Sequence, residues 1–126
     1  MSWVNTLLRN VAVGLGFIRR PDLISQLVSD HPAPEVMQSG VLYIVGGAKF
    51  QKWAMFRCPR YEDEIIQLSL MASRRPSWTV TIDFMGRPTI HPSIRQTSGS
   101  YAHFWLKKGY VNWCADSGHH SHNSHV

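Results

Sequence analysis

A chain of 126 residues, 44% of them hydrophobic, has the length of one ordinary domain and enough apolar mass to build a core without disulfide staples. Its two cysteines, Cys58 and Cys114, lie far apart and exclude a secreted disulfide framework, so a reducing cytoplasm is the expected setting. The formal charge of +5 comes from scattered positives (Arg19-Arg20, Arg57 and Arg60, Arg74-Arg75, Lys107-Lys108) with no basic stripe or tail, and nucleic-acid binding is not expected.

The N-terminal stretch from Trp3 to Ile18 is apolar but carries Arg9 and is too short to span a membrane. It lacks the charged start and small-residue cleavage site of a signal peptide. Trp3, Leu7, Val11 and Leu15 fall on one helical face, with Gly14 and Gly16 weakening its far end. The expectation is a helix packed on the sheet or on a partner subunit, without membrane contact. A second helical pattern follows, with Pro21 in its first turn and Leu23, Ile24, Leu27 and Val28 as its stripe. It stops before His31-Pro32-Ala33-Pro34, a connector that cannot continue a helix.

From Gly40 the pattern changes to strands and turns. Val41 to Val45 is an apolar run closed by Gly46-Gly47, Phe50 to Arg57 is aromatic and extended, and Glu64 to Leu70 pairs with it. Ser77 to Phe84 alternates with period two, placing Trp78, Val80, Ile82 and Phe84 on one face. Met85-Gly86-Arg87 turns the chain into Pro88 to Ile90, and Thr97 to Ser100 is a loop. Tyr101 to Lys107 and Tyr110 to Ala115 form a hairpin across Lys108-Gly109. The fold class expected is α+β, mostly β: an N-terminal helix or helices followed by a small antiparallel sheet or barrel-like β domain. Residues 1–126 read as a single domain, with a helical segment over 1–30, a β-rich core over 40–119 and a flexible His-rich tail over 120–126.

A two-residue loop at Lys108-Gly109 pairs Lys107 with Tyr110, Trp105 with Asn112, His103 with Cys114 and Tyr101 with Asp116, with opposed side chains about 5 Å apart. One face then carries Tyr101, His103, Trp105, Asn112, Cys114 and Asp116; the other carries Ala102, Phe104, Leu106, Val111, Trp113 and Ala115 as a core face. A hydroxyl or thiol nucleophile needs a base within hydrogen-bond reach, and the base needs an orienting partner. Ser117 with His103 or His119 as base, and Asp116 in support, meets that need. Cys114 opposite His103 is the competing nucleophile, as a thiolate–imidazolium pair. A zinc site from Cys58, Cys114, His103 and His119 is a third option. His91-Pro92-Ser93-Ile94 reads as a turn element in which Ser93 could hydrogen-bond a loop or touch substrate.

The order of short motifs carries a resemblance. Gly40-Val41-Leu42-Tyr43, Phe56-Arg57-Cys58-Pro59, Trp78 with Asp83, Gly86-Arg87-Pro88, Pro92-Ser93-Ile94, His103-Phe104-Trp105, Gly109-Tyr110-Val111 and Trp113 to His119 resemble a small bacterial family. That family is encoded in ubiquitination-like (Bub-type) operons beside E1-like, E2-like and ubiquitin-like proteins. The resemblance spans about residues 40–119 and implies a cytoplasmic, deubiquitinase-like serine peptidase, in a setting of phage defence, that processes or deconjugates a ubiquitin-like protein. It implies the ubiquitin-like protein, and the E1- and E2-like enzymes, as partners. Carried onto this sequence, it points to Ser117 as nucleophile, His103 as base, and Asp116 or His119 in support, with no cofactor and no metal. Where many relatives have a cysteine-dense run, this chain has Cys58-Pro59-Arg60-Tyr61-Glu62-Asp63, and Ala102 stands where some carry a serine. The alternatives are a non-catalytic module that binds the same partner through aromatics such as Tyr101 and Trp105, and a metal-dependent hydrolase.

Overall fold

The computed structural model describes residues 3–14, 20–47 and 50–119. Helix α1 spans Trp3–Gly14. Eight strands follow: β1 Ile24–Val28, β2 Val41–Gly46, β3 Gln51–Arg57, β4 Ile65–Ser69, β5 Thr79–Ile82, β6 Pro88–Arg95, β7 His103–Lys107 and β8 Tyr110–Trp113. They form two four-stranded sheets in the orders β1-β2-β3-β4 and β5-β6-β7-β8. The His-rich tail beyond His119 and residues 15–19, which include Leu15 and Gly16 of the expected helical stretch, lie outside the described residues.

The fold is mostly β, as expected, but the described residues hold one α-helix, at the N-terminus, where two helical segments were expected. The stripe expected to be a second helix is β1, which pairs in parallel with β2 from Ile24↔Val41 to Val28↔Val45. Five residues are too few to distinguish a helical stripe from a buried strand by period, and the backbone pairing offered by β2 decides it. The first sheet is therefore mixed, while the second is wholly antiparallel.

The two sheets share one core. Leu42, Ile44, Ala54, Phe56, Ile66 and Leu68 from the first meet Ile90, Ile94, Ala102, Phe104 and Leu106 from the second, each no more than 1% exposed. Phe56 and Phe104 touch edge to face across this layer, with ring centroids 6.2 Å apart. Phe104→Ala should lower the unfolding free energy by about 3–5 kcal/mol in chemical denaturation, because the cavity cannot close from either sheet. The other face of the first sheet carries a smaller apolar cluster of Met37, Val41, Tyr43, Val45 and Met55. The Pro-rich connector closes over it, with Gln38 N donating to the Tyr43 hydroxyl (2.8 Å) and Arg57 Nε to Met37 O (2.9 Å). Burial on both faces explains why β2 reads as a continuous apolar run.

The α1 side chains Leu7, Leu8 and Val11 are exposed, and the helix is tied to the β5–β6 turn by Arg9 Nη1 donating to Met85 O (3.0 Å). No helix among the described residues is long and apolar enough to cross a membrane.

Two turns fix the geometry of the second sheet. Lys108 and Gly109 both have positive φ (50° and 81°), the two-residue turn that suits a tightly twisted hairpin. A Cβ at Gly109 would lie 2.7 Å from Leu23 O, and Gly109 O accepts from Asp22 N and Leu23 N, so this turn also anchors the start of β1. At the other end Asp83 Oδ1 accepts from Met85 N and Arg87 N, ending β5 at Ile82. Phe84 is therefore exposed, not on the core face with Trp78, Val80 and Ile82 as the alternation suggested.

Candidate active site

The hairpin has the expected register through Lys107↔Tyr110, Trp105↔Asn112 and Phe104↔Trp113. Ala102, Phe104 and Leu106 face the core, and His103 and Trp105 face outward. Ala102 is 1% exposed, so its side chain lies on the opposite face of the sheet from the His103 ring. The register departs from expectation past Trp113. Cys114 N still donates to His103 O (2.9 Å), but the chain then turns, and it is Gly118 N that bonds Tyr101 O (2.9 Å). Tyr101 itself has φ 55° and lies outside the strand, and Ala115 is exposed instead of core-facing. Asp116 thus reaches His103 from a turn, not from a strand position opposite Tyr101.

Asp116 Oδ1 lies 2.6 Å from His103 Nδ1. A separation that short between a carboxylate oxygen and a ring nitrogen requires a proton between them, which places it on Nδ1. The far nitrogen, Nε2, then presents its lone pair, and 3.2 Å from it lies the hydroxyl of Ser93. Ser93 stands in β6, which pairs with β7 from Ile90↔Leu106 to Ile94↔Phe104. Three residues on β6, His91-Pro92-Ser93, stand opposite the single Trp105 on β7, and the resulting bulge brings Ser93 Oγ over the neighbouring strand's histidine. The segment expected to be a turn is a bulged strand. Trp78 Nε1 donates to Ser93 O (3.2 Å), which holds the bulge from the β5 side.

The Ser117 hydroxyl is engaged on the backbone: its Oγ accepts from the His103 backbone N–H (3.0 Å), so it caps the end of β7. His119 is exposed, with its backbone N–H on Asp116 O (3.1 Å), and its ring is not among the hydrogen-bonded groups around His103. Arg95, not singled out by sequence, completes the cluster. It pairs with His103 in the strand register, and its Nη2 donates to Asp116 Oδ2 (2.6 Å) while lying 3.0 Å from His103 Nδ1. The Asp116 carboxyl is held at about 2, well below its ordinary 3.8, first by the hydrogen bond from His103 and then by that from Arg95.

Cys58 is fully buried in the shared core, so the four-residue zinc set is not assembled. Donor atoms of His103, Cys114 and Asp116 do lie within 4.8 Å of one another. The Arg95 guanidinium, however, already contacts both the imidazole and the carboxylate, where a cation would have to sit. What remains is a serine hydroxyl, an imidazole with its lone pair toward that hydroxyl, and a carboxylate behind the imidazole, the set that acyl-transfer chemistry uses.

The family model described as "Bacterial ubiquitination-like system serine protease (BubE)" matches residues 28–114. The chain belongs to this family. The BubE match covers both Ser93 and His103 and stops at Cys114, just short of Asp116 and Ser117. No curated protein and no solved structure gives a significant match.

Proposed function

We propose that this chain is a deubiquitinase-like serine peptidase with Ser93 as nucleophile, His103 as general base and Asp116 as the group that orients the imidazole and stabilises the imidazolium that forms. The observation that carries this reading is the hydrogen-bonded series Ser93 Oγ, His103 Nε2, His103 Nδ1 and Asp116 Oδ1, with separations of 3.2 Å and 2.6 Å. Ser93 replaces Ser117 in this assignment because the Ser117 hydroxyl is used on backbone. In the reaction Ser93 Oγ attacks the scissile carbonyl as His103 Nε2 takes its proton. The tetrahedral intermediate collapses, the same proton passes to the leaving nitrogen, and an ester remains on Ser93. Water, deprotonated by His103, then hydrolyses that ester and restores the hydroxyl.

The family and the shape of the site support a substrate class. BubE proteins are described as serine proteases of a ubiquitination-like system, so the substrate proposed is the C-terminal region of a ubiquitin-like protein, as a precursor or a conjugate. Its E1- and E2-like enzymes are the further partners. β5 pairs only with residues up to His91, so past that point β6 has a strand partner on the β7 side alone. An extended, narrow tail can lie along the opposite side, beside the Trp78 indole that holds the Ser93 carbonyl, and bring its own carbonyl to Ser93. Trp105, with His91 5.9 Å and Lys107 5.3 Å from its ring, offers a half-exposed platform on the same face.

The test is incubation with the C-terminally extended ubiquitin-like protein of the same system, in chelator, followed by mass spectrometry. Release of the extension supports the reading. Tight binding without cleavage would favour the non-catalytic module, and cleavage abolished by chelator would favour a metal-dependent hydrolase.

A further inference from the structure

We infer that Arg95 is a positioning residue that holds Asp116 in place and, through it, fixes the tautomer of His103. The inference rests on the Ser93–His103–Asp116 reading above.

Asp116 and Arg95 each have 36% of their side chain exposed. Asp116 is carried by the turn after β8, where nothing in the sheet ladder fixes its side chain. A carboxylate so placed can rotate into solvent, and the Nδ1 proton would be left without a partner. The Asp116 carboxylate has two anchors in the structure: His103 Nδ1 on Oδ1 and Arg95 Nη2 on Oδ2, both at 2.6 Å. Arg95 lies two residues beyond Ser93 on β6, so one strand presents both the hydroxyl to one side of the imidazole and the guanidinium to the other. Side chains two apart on a strand share a face, and the Arg95↔His103 pairing sets them at the same height.

The same nitrogen lies 3.0 Å from His103 Nδ1, and this contact gives Arg95 two opposite roles. With Asp116 ionised, Nδ1 carries a hydrogen and Arg95 cannot donate to it, so Arg95 serves the carboxylate. With the carboxylate gone, Arg95 is the donor nearest to Nδ1. The ring proton then moves to Nε2, which meets Ser93 with an N–H where a lone pair is needed. Arg95 therefore helps only through Asp116. Because a single nitrogen makes both contacts, a lysine at this position supplies much of the same charge, unlike a forked pairing.

The experiment is a double-mutant cycle in the full chain. Arg95→Gln should lower kcat on the order of tenfold to a hundredfold with KM little changed, the scale of a small misplacement of a reacting group. Arg95→Lys should recover most of that loss. In an Asp116→Asn background, removing Arg95 should cost nothing further. In the absence of substrate, the far-downfield Nδ1–H proton resonance of His103 should be present in the parent and in Arg95→Lys, and broadened or lost in Arg95→Gln. Losses that multiply in the cycle, or a resonance unchanged in Arg95→Gln, would overturn the inference. If Ser93→Ala leaves cleavage intact, the active-site reading itself fails; if Ser93→Ala abolishes cleavage while Arg95→Gln is silent, only the role of Arg95 fails.

Discussion

Ser93→Ala should abolish cleavage of the proposed ubiquitin-like substrate, with kcat falling by a factor on the order of 10⁶, while Ser117→Ala keeps kcat within about tenfold of the parent. The contrast follows from what each hydroxyl touches. Ser93 Oγ is 3.2 Å from the base nitrogen of His103, and it is the hydroxyl whose attack on the carbonyl the proposed mechanism requires. Ser117 Oγ instead accepts the His103 backbone N–H at 3.0 Å. Its loss leaves one half-buried donor without a partner and should cost about 1 kcal/mol of stability, read by urea denaturation. A serine at the end of β7 that only caps the strand should therefore lower the midpoint of unfolding and leave the chemistry in place. The reverse pattern, activity lost with Ser117 and kept without Ser93, would move the nucleophile back to the turn.

Asp116→Asn has the second largest effect expected, a loss in kcat of about 10⁴ with substrate binding largely kept. The substitution is nearly isosteric, so the fold has no reason to change. The charge is what disappears, and with it the preference for the proton on Nδ1. Arg95 Nη2, 3.0 Å from Nδ1, then becomes that nitrogen's donor and turns the base away from its task. The carboxylate also leaves a trace in stability. Its folded pKa is lowered from 3.8 to about 2, so its contribution is fully present above the unfolded value and is lost as pH falls through the folded one. The difference in unfolding free energy between parent and Asp116→Asn should be flat above about pH 5 and shrink between roughly pH 4 and pH 2. A difference undiminished between about pH 5 and pH 2 would mean that Asp116 contributes through packing and not through charge.

Local signals carried much of this architecture. The Lys108-Gly109 turn fixes the hairpin register, and that register places Phe104 and Leu106 inward and His103 outward. The β2 run and the alternation of Trp78, Val80 and Ile82 are likewise visible as patterns one or two residues deep. What failed were the features that depend on partners distant in sequence. Ile24 to Val28 carries a stripe compatible with either period, and only the parallel neighbour β2 makes it a strand. Ser93 follows a proline in a segment that reads as a turn, and its closeness to His103 is created by a bulge setting three residues against one. No local pattern announces that mismatch. Arg95 was missed for the same reason, although the Ser-x-Arg spacing on an expected strand would have put both on one face. Asp116 was found through a motif and a register that proved only partly right, since a turn, not a ladder position, delivers it.

The most direct test of Ser93 as the nucleophile is covalent capture. A fluorophosphonate transfers its phosphonyl group to an activated serine with loss of fluoride, and needs no knowledge of the substrate. Native protein treated with this reagent and digested for mass spectrometry should carry the adduct on Ser93, and neither heat-denatured protein nor His103→Ala should be labelled. An adduct on Ser117, or an unlabelled protein whose cleavage activity is abolished by alkylation of Cys114, would contradict the assignment.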